Sequence, residues 1–268
     1  MSRRLALPYA FWMALFVVAP LVIVLFYALT TEAGGFGLEN FIKLQVYVPV
    51  FLRSLWLAFI ATVLCLLIGY PAAYILSRET PSVQNSAILL MMLPMWMNFL
   101  LRTYAWMSIL EDQGLINNLL RSLRLPALNM INTQGAVVLG MVYNYLPFMI
   151  LPIFTIIQKI PPSMTEAAQD LGANSRRVFR RVVFPLSLPG VLSGVTMVFV
   201  PSVSTFVISK LLGGGKQLLL GDLIEMQFLG GAYNLHLGSM ISIVMMLIVL
   251  AGIQIMNRFG SREEVALP

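Results

Sequence analysis

The charged chemistry of this chain is concentrated in one stretch, PPSMTEAAQDLGANSRRVFRRVVFP at residues 161–185, where Arg176, Arg177, Arg180 and Arg181 lie between two long apolar runs. Arginines set this densely between apolar runs mark one side of a membrane and touch anionic lipid. A second group recurs at a 4-3-4-3 spacing: Asn98, Arg102, Ala105, Ile109 and Asp112 line one face of the third membrane helix. An arginine inside an apolar run reads as functional by default. The plainer alternative pairs Arg102 with a carboxylate or with helix-end carbonyls near the outer surface. Ser202, Thr205 and Ser209 form a third group, readable as a wetted path or as small-residue helix packing.

None of these groups is a reactive constellation. Cys65 and His236 are each the only residue of their type, which removes a disulfide framework and the usual zinc ligand sets. Gly213-Gly214-Gly215-Lys216 fails as a Walker A loop, because the required first glycine falls at Lys210 and Gln217 stands where Ser or Thr would bind Mg²⁺. It reads as a glycine-rich outer loop. There is no nucleophile elbow, HExxH pair or catalytic triad order, so the sequence implies no catalytic residue, no cofactor and no metal site.

The elements that must position these residues follow from composition. Of 268 residues, 59% are hydrophobic and only 10% charged, with mean hydropathy +0.87, whereas soluble domains carry about 25% charged residues. The expectation is an all-α membrane protein of one domain, residues 1–268, with no long polar linker. About 20 apolar residues cross a bilayer, and six runs qualify: 8–29, 54–76, 86–109, 136–157, 186–209 and 237–256. The first follows Arg3 and Arg4 and lacks a small-residue cleavage site, so it reads as a retained anchor helix. Lys and Arg are more numerous on the side that holds Arg3, Arg4, Arg78, Lys159, the four loop arginines, Arg258 and Arg262, which places both termini and residues 158–185 in the cytoplasm. The +6 charge is dispersed around apolar segments rather than gathered with stacking aromatics, so no nucleic-acid partner is implied. Prolines inside the runs are either packing kinks or hinges of a gate.

Within the loop, Pro161 and Pro162 end the preceding helix. Ser163 and Glu166 match a capping box. Met164, Ala167, Ala168 and Leu171 then make one apolar face, opposite Glu166, Gln169 and Asp170. Gly172 supplies a C-terminal cap. Ser175 caps a second short helix, with Val178, Val182 and Val183 as its apolar stripe. A face built mainly of alanine lets a backbone approach another surface closely, so the loop is either a docking knob or a basic segment that sets topology and touches anionic lipid.

EAAQDLG, followed nine residues later by Val182-Val183-Phe184-Pro185, resembles the EAA loop of ABC importer permeases. Val182 and Phe184 stand where Ile and Leu are usual. RTYAW at 102–106, GLINNLL at 114–120, YNYLPFMILP at 143–152 and LLGGGKQLLLGDLIEMQF at 211–228 extend the resemblance to permeases of spermidine/putrescine importers. The resemblance implies a type I importer permease fold of about six spans in the bacterial inner membrane. Glu166, Ala167, Ala168, Asp170, Leu171 and Gly172 would dock on cytoplasmic ABC ATPase subunits. The other implied partners are a second related permease and an extracytoplasmic substrate-binding protein, with membrane lipid around them.

A polyamine is a flexible polycation, so its path should offer carboxylates and aromatic faces. The candidates are Asn98, Arg102, Trp106, Asp112, Tyr143, Asp222 and Glu225, with the carboxylates near the outer ends of the third and sixth helices. Arg102 weighs the other way and would suit an oxyanion. A metal ion as substrate and a self-sufficient secondary transporter are the remaining alternatives, the latter disfavoured because no paired broken helices in an internal repeat are evident.

Overall fold

Apolar runs surrounded by hydrocarbon have no water to satisfy their backbone, so they must bond internally as helices. This computed structural model describes residues 7–31, 35–37 and 39–264; Arg3 and Arg4 lie outside them. The first run is α1 (Leu7–Met13), a π turn (Ala14–Val18) and α2 (Ala19–Leu29). The second is α3 (Glu39–Leu44), a 3₁₀ turn (Gln45–Tyr47) and α4 (Val48–Leu76). Then come α5 (Pro81–Trp96), α6 (Phe99–Leu110), α7 (Leu115–Ser122) and α8 (Gln134–Gln158). The loop region is α9 (Pro162–Asp170), α10 (Ser175–Val178) and a second π turn (Phe179–Val183), which runs into α11 (Phe184–Ser204). α12 (Val207–Leu212), α13 (Leu220–Phe228) and α14 (Leu235–Glu264) complete the order.

Among the described residues, five stretches, Phe11–Leu29, Glu39–Leu76, Gln134–Gln158, Ser175–Ser204 and Leu235–Met256, are long and apolar enough to cross a membrane. The pair Pro81–Trp96 and Phe99–Ser122 makes a sixth if counted as one span, but it is bent by 91°. The single third helix expected over 86–109 is therefore corrected. Pro94 lacks an N–H and disturbs the ladder. Met97 turns extended at ψ 150°, and Asn98 restarts the chain as an N-cap whose side chain accepts Leu100 N–H at 2.8 Å. The fifth run is also interrupted: α11 stops at Ser204, Thr205 is extended, and α12 restarts two residues on, shortly after the helix-weakening Pro201.

The centre of the protein is a three-helix core in which α4, α8 and α11 all touch one another. Met149 of α8 is fully buried there. A Cβ added to Gly69 of α4 would lie 3.0 Å from Met149 Cγ, and one added to Gly194 of α11 would lie 2.8 Å from its Sδ. Only hydrogen on those two α-carbons lets both neighbours close on one methionine. A smaller apolar cluster joins Phe51 and Ala58 of α4 to Val203, Leu220, Leu223, Leu237 and Ile241, while α2 packs on α14 at the periphery.

Candidate functional site

The loop between α8 and α11 folds as the sequence suggests in outline and differs in its caps. α9 begins at Pro162, with Pro161 as N-cap and no side-chain cap bond, so the expected capping box of Ser163 and Glu166 does not form. Proline at N1 has its φ preset for a helix and no N–H to satisfy, so the helix starts before Ser163 can serve as a cap. At the other end Gly172 has φ +82°. Its N–H donates to Gln169 O at 2.8 Å, and Ala173 N–H reaches Ala168 O at 3.0 Å. These two bonds are the Schellman pattern that needs a left-handed residue at this position. α10 is capped by Asn174 rather than by Ser175, through Arg177 N–H to Asn174 Oδ1 at 3.0 Å.

The apolar face of α9 is split. Ala168 is half-buried against the core, and Thr165 lines a cavity of about 220 Å³ with Ser77, Arg78, Gln158 and Val183. Met164, Ala167 and Leu171 point outward, with Leu171 89% exposed. The four-residue face expected from spacing is thus corrected: Ala168 seats the helix on its own chain. Glu166, Asp170 and Gly172 are exposed beside the outward residues.

The link from α9 to the spans is a π turn. In an uninterrupted α-helix Val183 would stand about 140° around from Val178. The extra residue of an i→i+5 turn sets it back to about 40°. Both valines are accordingly buried, at 3% and 2% exposure, and the four arginines are left together on the outer side. Beneath them Phe179 and Phe184 pack on Tyr70 of α4, with ring centroids 5.8 and 5.7 Å away. Arg78 lies over Tyr74, 5.1 Å from the ring centroid.

Of the residues expected along a path, the structure strings Asn98, Arg102 and Trp106 along α6 and its cap and sets Trp106 against Tyr143. The first three follow one stripe from the α6 cap, and Trp106 meets Tyr143 edge-on at 5.3 Å. The guanidinium of Arg102 has no ion pair or hydrogen bond among the described residues, its Nε is buried, and the Phe99 ring centroid lies 5.9 Å away. Among the described residues, no carboxylate or carbonyl pairs with Arg102. Asp112 lies past the end of α6 in an exposed turn, where Arg121 donates to its backbone carbonyl at 3.0 Å. It is off the helical stripe because α6 ends at Leu110.

Asp222 and Glu225 belong to a separate group on α13, ahead of the last span. Asp222 is buried and accepts Leu219 N–H at 2.9 Å, which caps that helix. Burial pushes its carboxyl above the ordinary carboxylate range, against the pull of the Leu219 N–H and the nearby Ser209 hydroxyl. Glu225 pairs with Lys210 of α12 at 2.9 Å. Ser202, Thr205 and Ser209 are buried, and the hydroxyls of Ser202 and Ser209 bond back to Val198 O and Phe206 O, which favours packing over a wetted path. Sequence reasoning missed Ser54, whose hydroxyl receives Leu220 N–H at 2.8 Å, and Asn117, which ties Glu111 O to both backbone groups of Leu128. Neither has a sequence signal beyond being polar near an apolar stretch.

Residues 35–259 match the family described as binding-protein-dependent transport system inner membrane component. The chain belongs to this family. It is 38% identical over 242 residues to the spermidine/putrescine transport system permease protein PotB of Haemophilus influenzae, covering 87% of this chain and 84% of that one. It is 36% identical to PotB of Escherichia coli, over 81% of this chain and 83% of the other. The fold is that of a bacterial ABC transporter involved in import of the acidic polysaccharide alginate, with TM-score 0.82 at 16% identity, covering 97% of this chain and 94% of that chain. A methionine ABC transporter in inward-facing form matches with TM-score 0.61 at 17% identity, over 82% and 96% of the two chains. This permease is therefore a multi-pass inner-membrane subunit of an ABC importer, without catalytic machinery of its own.

Proposed function

We propose that this permease carries polyamines of the spermidine/putrescine type inward, driven by cytoplasmic ABC ATPase subunits that grip α9. A second related permease forms the other half of the pore, and an extracytoplasmic binding protein delivers the substrate. The observation that carries the substrate reading is the identity to the PotB permeases over most of both chains. The coupling role rests on Glu166, Ala167, Asp170, Leu171 and Gly172 lying exposed on a capped helix, with Ala168 seating that helix on the core. ATP-driven closure of the ATPases shifts α9 and biases the pore between inward and outward states. Trp106 and Tyr143 offer aromatic faces to an ammonium group, and Asp112, Asp222 and Glu225 supply negative charge nearer the outer loops.

A second reading has one observation in its favour. Arg102, buried at Nε and unpaired among the described residues, suits an oxyanion better than a cation. The test is uptake by the four-component system in proteoliposomes. Spermidine or putrescine should accumulate, and less of it after Asp112→Asn or Asp222→Asn. Failure with every polyamine, together with uptake of an oxyanion or sugar, overturns the substrate and leaves the importer assignment in place.

A further inference from the structure

The four loop arginines do more than add positive charge to one side of the membrane. With Asn174 they line an open cavity of about 570 Å³. All four are exposed, and none has an ion pair or a cation–π contact among the described residues. Arg176 stands one turn from Arg180, and Arg177 one turn from Arg181. Each pair therefore presents forked donors side by side, the arrangement that suits the several oxygens of a phosphate group.

The residues beyond the arginines identify the kind of phosphate. The stretch Ser175–Ser204 runs for 30 residues as one helical span, longer than the about 20 residues a hydrocarbon core needs. The arginines occupy its first turns, directly ahead of the apolar run that opens at Val182. They therefore sit at headgroup depth. The π turn also brings Phe184 to within about 20° of Arg176 around the helix, and Phe184 is 42% exposed. One stripe thus offers two guanidiniums and then an exposed aromatic ring, which matches an amphiphile with a phosphate head and an acyl chain better than a free anion.

The geometry points to a binding site for the phosphate group of an anionic phospholipid of the cytoplasmic leaflet, built by the π turn and placed against the coupling helix. This goes beyond the transport reading and does not depend on the substrate. The test uses the assembled transporter purified in detergent and exposed to phosphatidylglycerol or phosphatidylcholine at equal concentration, with bound lipid counted by native mass spectrometry.

Phosphatidylglycerol should be retained in preference, and R176Q/R180Q should lower that retention about tenfold or more. R176K/R180K keeps the charge that sets topology but loses the forked donors, so retention should fall severalfold while membrane insertion stays normal. Equal retention of the two lipids, or retention unchanged in both variants, overturns the site. Displacement by inorganic phosphate reassigns it to a free anion and overturns the lipid. Binding of phosphatidylglycerol that disappears when the ATPase subunits are removed assigns it to a protein interface instead, and that too overturns the proposal.

Discussion

The phenol of Tyr70 lies 2.8 Å from the hydroxyl of Ser187, a buried bond that joins the second span to the fifth just above the π turn. Ser187 in turn donates to Phe184 O at 2.9 Å. Tyr70 also carries the packing of Phe179 and Phe184, so one side chain holds both the polar and the apolar contacts between α4 and the loop. Tyr70→Phe should keep the packing and cost about 0.5–1.5 kcal/mol. Tyr70→Ala should cost about 3–5 kcal/mol and uncouple ATPase stimulation from substrate. Thermal unfolding of the purified complex compares the two; equal losses would mean the ring is not packed as described.

The outward and inward faces of α9 should respond differently to the same substitution. Ala167→Arg places bulk where the helix is open to a partner, so the permease should insert and fold normally but fail to co-purify with its ATPase. Ala168→Arg strikes the half-buried side that seats the helix on its own core, so it should lower the yield of folded permease as well. Co-purification and detergent size-exclusion profiles separate these outcomes, and identical behaviour of the two variants would contradict the split face.

Gly172 has no heavy atom within 4 Å of an added Cβ, so a side chain there meets space, and only the φ of +82° opposes it. Gly172→Asn, which tolerates that conformation, should retain most transport. Gly172→Val should cost about 1–2 kcal/mol and impair uptake while insertion stays intact. Uptake rates in whole cells, normalised to permease in the membrane, decide between a conformational and a steric role.

Asp222 gives a pH signature. Its carboxyl is raised above the ordinary range by burial, so the folded chain holds that proton more tightly than the unfolded chain. The stability it lends is therefore full below the ordinary carboxylate range and is lost as pH rises through the raised value. Asp222→Asn keeps an acceptor for Leu219 N–H and should flatten that part of the pH profile. Asp222→Ala removes the cap and should cost about 1 kcal/mol at every pH. Thermal midpoints measured from acidic to neutral pH provide the check.

Much of the architecture was legible because hydrocarbon imposes a length on any apolar run. The fourth run, read as 136–157, is α8 from Gln134 to Gln158. The break at Asn98 was hidden because Pro94 alone does not distinguish a kink from a 91° bend. The residues that decide it, Met97 extended and Asn98 capping, look ordinary among apolar neighbours. In the loop, spacing placed Val178 and Val183 in one stripe, yet they share a side only because of a π turn that no residue type announces. The outward and inward halves of α9 were beyond sequence for a related reason: two adjacent alanines differ only in what the rest of the chain brings beneath them. The Trp106–Tyr143 contact was likewise visible only once α6 and α8 were packed.

Met149 touches both Gly69 and Gly194, a contact that lies nearer the loop-side ends of α4 and α8 and midway along α11. Were that contact the pivot, the three rods would behave as levers on a shared fulcrum. Spreading them below that point would draw them together above it. An unbranched thioether is well suited to the fulcrum, because it can roll through its rotamers without losing contact. A push of a few ångströms at the loop-side ends would then arrive at the far side with its sense reversed.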